Sequence, residues 1–525
     1  MQSLLTRTSR AANLASKVAF GRQMSSTSSS VKKGLVLGIS ADSQLFGATQ
    51  AKITAEQQQH ILTHARALGH TGASGSVHLM LSSDLTQQIA LVGLGAPSAK
   101  TLAETTRVAV ANGIKRLCAN KVESVSVAPM PCAKAAAEGA TLALYGFDKF
   151  KAKKNGQQAK VTLAGEEGVS EWTKGQIFAE AQNWARDLMN TPANHMTPQI
   201  FAEEVKKEVG ALNNVQVNVY DQAWVEEQRM GGLLAVSRGS EEPLRFVEII
   251  YRGDPSSNEV PLALVGKGIT FDTGGYSLKP GKHMDLMKGD MGGGATVVAA
   301  MRAIALLQLR INVVATVPLC ENMISGRATK VSDIYTSRAG LTVEVMNTDA
   351  EGRIVLADAL HYTKEVHSPQ TIVDVATLTG AMVVALGELY TGIFTPSPRL
   401  WSRLERASEA SDEPIWRMPL HDAWDKMLKS PVADLSNIGN KAEAGSCTAA
   451  AFLRHFVRDS VQKPDESKVS GDQNDDESLP RWAHLDIAGP MESSSSDGHH
   501  HRGMSGRPTR LLVELASQLS KNPLV

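Results

Sequence analysis

The sequence predicts an α/β protein of two domains, an N-terminal α/β domain followed by a larger domain whose mainly parallel sheet is flanked by helices. Three observations carry this. Apolar strand-like runs alternate with helical stretches along most of the chain. A long helical segment ending in a proline-rich stop divides that alternation in two. The 525 residues, 42% hydrophobic and 21% charged, leave room for two or three ordinary domains and a large core.

The first thirty residues stand apart. They carry Arg7, Arg10, Lys17 and Arg22, with Lys32 and Lys33 just beyond, and the first acidic residue is Asp42. Leu4, Leu5, Ala11, Leu14 and Val18 share one side of a helix, with basic residues largely opposite. A basic, Ser-rich, acid-free segment of this kind reads as a mitochondrial transit peptide, residues 1–30, cleaved between about Gly21 and Ser30. The expected location is the mitochondrial matrix.

Residues 31–168 form the expected N-terminal domain, from the strand-like runs GLVLGIS, IALVGLG and SVSVAPM and a helical stretch at 98–112. Residues 169–192 form the linking helix, which stops at TPANHMTP. Residues 193–525 form the second domain. Its strands are VQVNVYD, RFVEIIYRG, PLALVGKG, INVVATVPLC, LTVEVMN and TIVDVATLTG, with helices at 293–309 and 350–366. Near the end, 464–480 and ESSSSDGHHHRG (492–503) read as exposed loops, with the His499–His501 triplet in the second.

Lys+Arg and Asp+Glu both number 54, so net charge gives no reason to expect nucleic acid as a partner. Cys118, Cys132, Cys320 and Cys447 are too scattered for a disulfide framework and read as small buried hydrophobes. No uncharged apolar run is long enough for a membrane span. HExxH, GxSxG and the phosphate-cradling glycine motifs are missing.

The chemistry gathers in three short segments near strand ends. LVGKGITFDTGGYSLK carries Lys267, Asp272 and Lys279; MDLMKGDMGGGA carries Asp290; MNTDAEGR carries Asp349, Glu351 and Arg353. Taken alone, NTDAEGR also fits a capping box, with Thr348 as N-cap and Glu351 three residues on. Four carboxylates brought together repel unless cations neutralise them, and two divalent ions would do so. Such an oxygen-rich shell suits Mn²⁺ or Mg²⁺, with Zn²⁺ also compatible.

These segments, with DVATLTGAM and WAHLDIAGP, resemble the leucyl (cytosol) aminopeptidases over roughly residues 170–525. The resemblance implies that the second domain is a di-metal catalytic domain. One metal would be held by Asp272, Asp349 and Glu351, and the other by Lys267, Asp272, Asp290 and Glu351, with a hydroxide bridging the pair. It further implies that Lys279 polarises the substrate carbonyl and that Arg353 holds a bicarbonate acting as general base. Met287, Thr377, Gly380, Ala488 and Met491 would form the side-chain pocket, with the Leu378 carbonyl near the substrate. The implied activity is release of N-terminal, leucine-like residues from peptides by a homo-hexamer. The chain departs from the family at Tyr276, Ile324, Val331, Ser332 and Pro490. A different class of reading is an abundant structural or storage hexamer of mitochondria, as in leucyl-aminopeptidase-like proteins of insect sperm. Intact metal and catalytic positions favour the enzyme.

Overall fold

The computed structural model describes residues 32–96, 98, 101–153, 159–458 and 480–524. The leader expected at 1–30 and nearly all of the acidic loop 464–480 lie outside the described residues.

The N-terminal domain runs β1 (Lys33–Ser40), β2 (Leu45–Phe46), α1 (Ala55–Ala67), β3 (Val77–Leu81), β4 (Gln88–Gly95), α2 (Leu102–Ala119), β5 (Ser124–Val127), α3 (Ala133–Ala143) and β6 (Lys160–Leu163). Its sheet has the order β3-β4-β1-β5-β6, with β2 paired to β1. The strands β4, β1, β5 and β6 are parallel, which requires crossover helices. Val36, Val92 and Val127 pack with α2 and α3, while Leu35, Leu37 and Leu91 pack with α1, so both faces of the sheet are covered.

The linking helix α4 (Val169–Asn190) ends where Pro192 prevents continuation. It packs against α3 of the N-terminal domain and against Gly292–Leu306, a helix of the second domain.

The second domain continues with α5 (Pro198–Glu208), β7 (Val215–Tyr220), α6 (Gln222–Glu227), α7 (Gly231–Ser237), β8 (Arg245–Arg252), β9 (Leu262–Gly266), β10 (Gly268–Asp272), α8 (Gly292–Leu306) and β11 (Asn312–Asn322). Then come β12 (Ile334–Thr336), β13 (Thr342–Glu344), α9 (Gly352–His367), β14 (Thr371–Ala376), α10 (Gly380–Leu386), β15 (Thr391–Phe394), α11 (Pro398–Ser411) and β16 (Ile415–Arg417). The last are α12 (Ala423–Met427), β17 (Leu435–Ser436), α13 (Gly445–Arg454), β18 (Arg481–Asp486), β19 (Glu492–Ser493), β20 (Gly503–Met504) and α14 (Thr509–Lys521).

Its nine-stranded sheet has the order β16-β15-β18-β14-β9-β11-β8-β7, with β10 also on β11. The centre, β18-β14-β9-β11, is parallel, and antiparallel pairs flank it. The helices α4, α8 and α14 contribute to the core on one face, and α7, α9 and α13 to the core on the other. Among the described residues no helix is long and apolar enough to cross a membrane.

Two sequence expectations are corrected here. LTVEVMN does form a strand, β13, but it joins a separate three-stranded sheet with β12 and β17. Strand pattern is local, whereas sheet membership depends on partners distant in sequence. The 492–503 segment is only in part an exposed loop: Ser494, Ser496, Asp497 and Arg502 face solvent, but its ends are paired and its histidines are not exposed. It forms the β19–β20 pair, and His499 is only 1% exposed. Lys115 and Arg186 hold it by donating to the carbonyls of Ser496, His500 and His499.

Candidate active site

The parallel centre of the sheet brings the carboxyl ends of β9, β10, β14 and β18 together, the position where ligands gather in α/β sheets. The apolar run PLALVGKG is interrupted there. β9 stops at Gly266, Lys267 breaks the ladder, and β10 resumes to end at Asp272. The first turn of α8 presses against this break. A Cβ on Gly293 would stand 1.9 Å from the Val375 carbonyl oxygen, so only glycine permits the approach. Asp290 just precedes that turn and is thereby delivered to Lys267.

Asp272, Asp290 and Glu351 each present an oxygen within 4.8 Å of the others, and all three are buried. The Lys267 ammonium lies 2.8 Å from both Asp290 and Glu351. It also donates to the Thr377 carbonyl at 2.9 Å. A Cβ on Gly352 would meet its Cδ, Cε and Nζ at 2.8 Å, so the start of α9 is cut away to admit this lysine. Lys279 pairs with Asp272 at 2.8 Å and with Asp349. Asp349 therefore joins the group through Lys279, at the edge of the compact triad.

The capping-box reading of NTDAEGR does not hold. Helix α9 begins at Gly352, and Glu351 occupies its N-cap without a side-chain cap bond. The Thr348 hydroxyl donates instead to the Gly274 carbonyl and accepts from the Ser277 amide, tying NTDAEGR to TFDTGG.

Four carboxylates face two ammonium groups in this pocket. Burial, then the Glu351 charge, raises the pKa of Asp272. Burial pushes Asp290 well up despite Lys267, with Glu351 and Asp272 adding to the rise. Burial and the charge of Asp272 raise Asp349. Burial would lower both lysines, but the surrounding carboxylates outweigh it and hold their protons more tightly. The pocket thus carries more acid than its own cations balance. That donor set and that imbalance fit hard divalent cations.

Arg353 is buried and donates one Nη to the Asn437 carbonyl at 3.1 Å. Its Nε has no hydrogen-bond partner among the described residues. Burial lowers its pKa to about 10. It forms no ion pair with a neighbouring carboxylate among the described residues, which leaves a buried donor free for an anion.

The residues named for a side-chain pocket lie around this centre. The Thr377 hydroxyl donates to Asp290 at 2.8 Å. Leu378 and Ala488 are half-buried, and Gly380 is exposed, with open space where a Cβ would stand. Met287 is half-buried, and Met491 is buried against Gly289. Met504 packs on the same glycine and was not singled out by sequence, because its neighbours in RGMSG carry no motif. Two further supports also escape a sequence reading. Asn322 donates to Asp272 at 2.8 Å and to the Thr348 carbonyl at 3.0 Å. Asn437 accepts from the Met346 and Asn347 amides and donates to the Asn347 carbonyl at 2.6 Å. Neither lies beside an acidic or glycine-rich motif.

The model of the cytosol aminopeptidase family catalytic domain matches residues 183–513, and that of its N-terminal domain matches residues 36–154. The cytosol aminopeptidase of Xenopus tropicalis is 42% identical over 511 residues, 94% of each chain. That of Rattus norvegicus is 46% identical over 421 residues, 80% of this chain and 77% of the relative. Among solved structures, the bottromycin maturation enzyme BotP in complex with Mn superposes with a TM-score of 0.80 at 33% identity, covering 93% of this chain and all of that one.

Proposed function

The chain belongs to the cytosol aminopeptidase family and is a peptidase, and from that premise we propose that it releases N-terminal, preferably leucine-like, residues from peptides with two bound divalent cations. The observation that carries this reading is the buried Asp272–Asp290–Glu351 triad, flanked by Lys267, Lys279 and Arg353. Asp272, Asp349 and Glu351 would hold one cation. Lys267, Asp272, Asp290 and Glu351 would hold the other, Lys267 as a neutral amine whose pKa adjacent dications would depress against the pull of the carboxylates. Mn²⁺ or Zn²⁺ suits the set, and Mg²⁺ is compatible with it. The cations would supply the Lewis acidity that hydrolysis of an unactivated amide requires.

The chain's own residues do the rest. Once Asp272 and Asp349 turn to cations, the Lys279 ammonium is free to donate to the substrate carbonyl and to stabilise charge developing there. Arg353, with its unpartnered Nε, would hold bicarbonate in place to take the proton from the attacking water. Met287, Met491 and the Thr377–Gly380 and Ala488 segments would line an apolar pocket for the first side chain. The reading includes a homo-hexamer, and import to the mitochondrial matrix directed by residues 1–30.

The test is hydrolysis of leucyl-p-nitroanilide by the mature chain with Mn²⁺ or Zn²⁺, and with chelator. Turnover that requires metal and vanishes in Glu351→Gln supports the reading. Intact hexamers without turnover under any metal would favour a storage protein instead. Sedimentation gives the oligomeric state, and import of the full chain into isolated mitochondria tests the leader.

A further inference from the structure

Asp486 closes β18 opposite Ala376, the last residue of β14. Its side chain is fully buried. Oδ1 accepts from the Leu378 amide at 3.2 Å and from the Ala488 amide at 3.1 Å. Oδ2 accepts from the Thr379 hydroxyl at 2.6 Å. One carboxylate oxygen therefore ties together two segments that leave the sheet from different strands.

The first segment is fastened at both ends. Thr377 is held to the acidic centre by its hydroxyl on Asp290 and by its carbonyl, which accepts from Lys267. Two residues on, Thr379 is held by Asp486, and its hydroxyl also accepts from the Met382 amide to start α10. Leu378 between them has little freedom. The second segment, through Ala488, is fixed to the same carboxylate. A buried carboxylate that satisfies two backbone amides and a hydroxyl holds its partners in one geometry, because any movement leaves a buried acceptor or donor unpaired.

We propose that Asp486 is a positioning residue that sets the spacing between the two pocket walls and thereby the preference among apolar N-terminal side chains. This rests on the reading of Thr377–Gly380 and Ala488 as those walls. Asp486 itself makes no hydrogen bond to the acidic triad, and it reaches Arg353 only through its charge. Its removal should alter which side chain is accepted more than how fast the amide is cleaved.

The test measures kcat and KM separately for leucyl-, alanyl- and glycyl-p-nitroanilide. Glycine has no side chain to place between the walls and serves as the internal reference. Asp486→Ala should lower the leucyl-to-glycyl ratio of kcat/KM roughly tenfold, mostly through KM, the scale expected when buried hydrogen-bond partners are left unsatisfied. Asp486→Asn should recover most of the ratio, because its amide oxygen can still accept from Leu378 and Ala488. Thr379→Val, which keeps shape and removes one of the three bonds to Asp486 together with the Met382 cap of α10, should lower the ratio about threefold. If Asp486→Ala fails to fold, Thr379→Val carries the test. An unchanged ratio in folded Asp486→Ala or Thr379→Val, or an equal loss of kcat for all three substrates, would overturn the proposal. Wild-type inactivity on all three would instead overturn the aminopeptidase reading, and this proposal with it.

Discussion

Two regions of this molecule bury clusters of charge, and they are built on opposite plans. The acidic centre sets Asp272, Asp290, Asp349 and Glu351 against Lys267 and Lys279. The junction between the domains sets Arg107 and Arg510 on Glu138 at 2.7 and 2.9 Å, Arg107 also on Asp412, and Arg510 near Glu413. Arg510 gains a further bond to Gln182 on α4, while Arg186 and Arg507 donate to backbone carbonyls. The junction satisfies most of its donors with its own acceptors and joins helices α2, α3, α4 and α14. The acidic centre leaves its carboxylates short of positive charge, at the carboxyl ends of the parallel strands. The difference separates a cluster whose charges are paired within the fold from one whose donor set fits cations.

The largest expected effect breaks the acidic centre alone. Glu351→Gln should cost roughly a thousandfold or more in peptide hydrolysis. It removes one like charge from an overloaded set, so in chelator its melting temperature should stay within a few degrees of wild type. A large loss of stability alongside the lost activity would mean that the centre is a structural ion-pair cluster like the junction.

The reciprocal experiment is Glu138→Gln. It leaves two buried guanidinium groups short of a partner and should cost about 3–5 kcal/mol in unfolding free energy. Turnover per folded molecule should persist. Denaturant unfolding monitored beside leucyl-p-nitroanilide hydrolysis separates the two quantities.

The sequence makes one of these regions legible and conceals the other. Asp272, Asp290, Asp349 and Glu351 sit among glycines at strand-to-helix turns, a local pattern that signals a ligand site. Lys267 breaks an apolar run visibly. The parallel sheet and both domains also follow from local alternation. Glu138, by contrast, lies in AKAAAEGATLA, where a charged residue on a helix reads as solvated surface. Its partners are Arg107 and Arg510, far apart in the chain, so only the packing of α2, α3 and α14 reveals it. The His499–His501 segment is hidden for the same reason. Its serines and glycines suggest an exposed loop, and the lysine and arginine that hold its carbonyls come from α2 and α4. Ser332 is an intermediate case. It is one of the positions where the resemblance marks a departure, and its φ of 77° is the left-handed conformation that glycine adopts without strain.

Metal should distinguish the regions by mass action. Mn²⁺ at about a hundred times its dissociation constant should stabilise the wild type by about 2.7 kcal/mol. Glu351→Gln should lose most of that gain, whereas Glu138→Gln should keep it on top of a lower baseline. Thermal melts with and without metal read this directly. An equal metal response in wild type and Glu351→Gln would place the ions elsewhere.

The smallest effect uses acid, to which the two clusters respond with opposite signs. At the centre, the folded state raises the pKa of Asp272, Asp290 and Asp349. It therefore binds protons more readily than the unfolded chain does, and falling pH relieves repulsion there. At the junction, burial and then the neighbouring charges push His499 well below its ordinary value, His500 to about 3 and His501 to about 4. In the unfolded chain these imidazoles take protons near pH 6.5, whereas in the fold they stay neutral. Stability falls as pH drops through about 6.5, and the loss continues until His500 and His501 protonate in place, near pH 3–4. A buried His499 alone contributes about 1.4 kcal/mol per pH unit below the unfolded value. Replacing it with Leu, which needs no hydrogen-bond partner, should flatten the stability–pH curve between pH 6.5 and 5 by about that slope. Glu351→Gln should leave the junction's downward trend in place. If His499→Leu leaves the slope unchanged, His499 is not the acid-sensitive element, and His500 and His501 beside it become the groups to test.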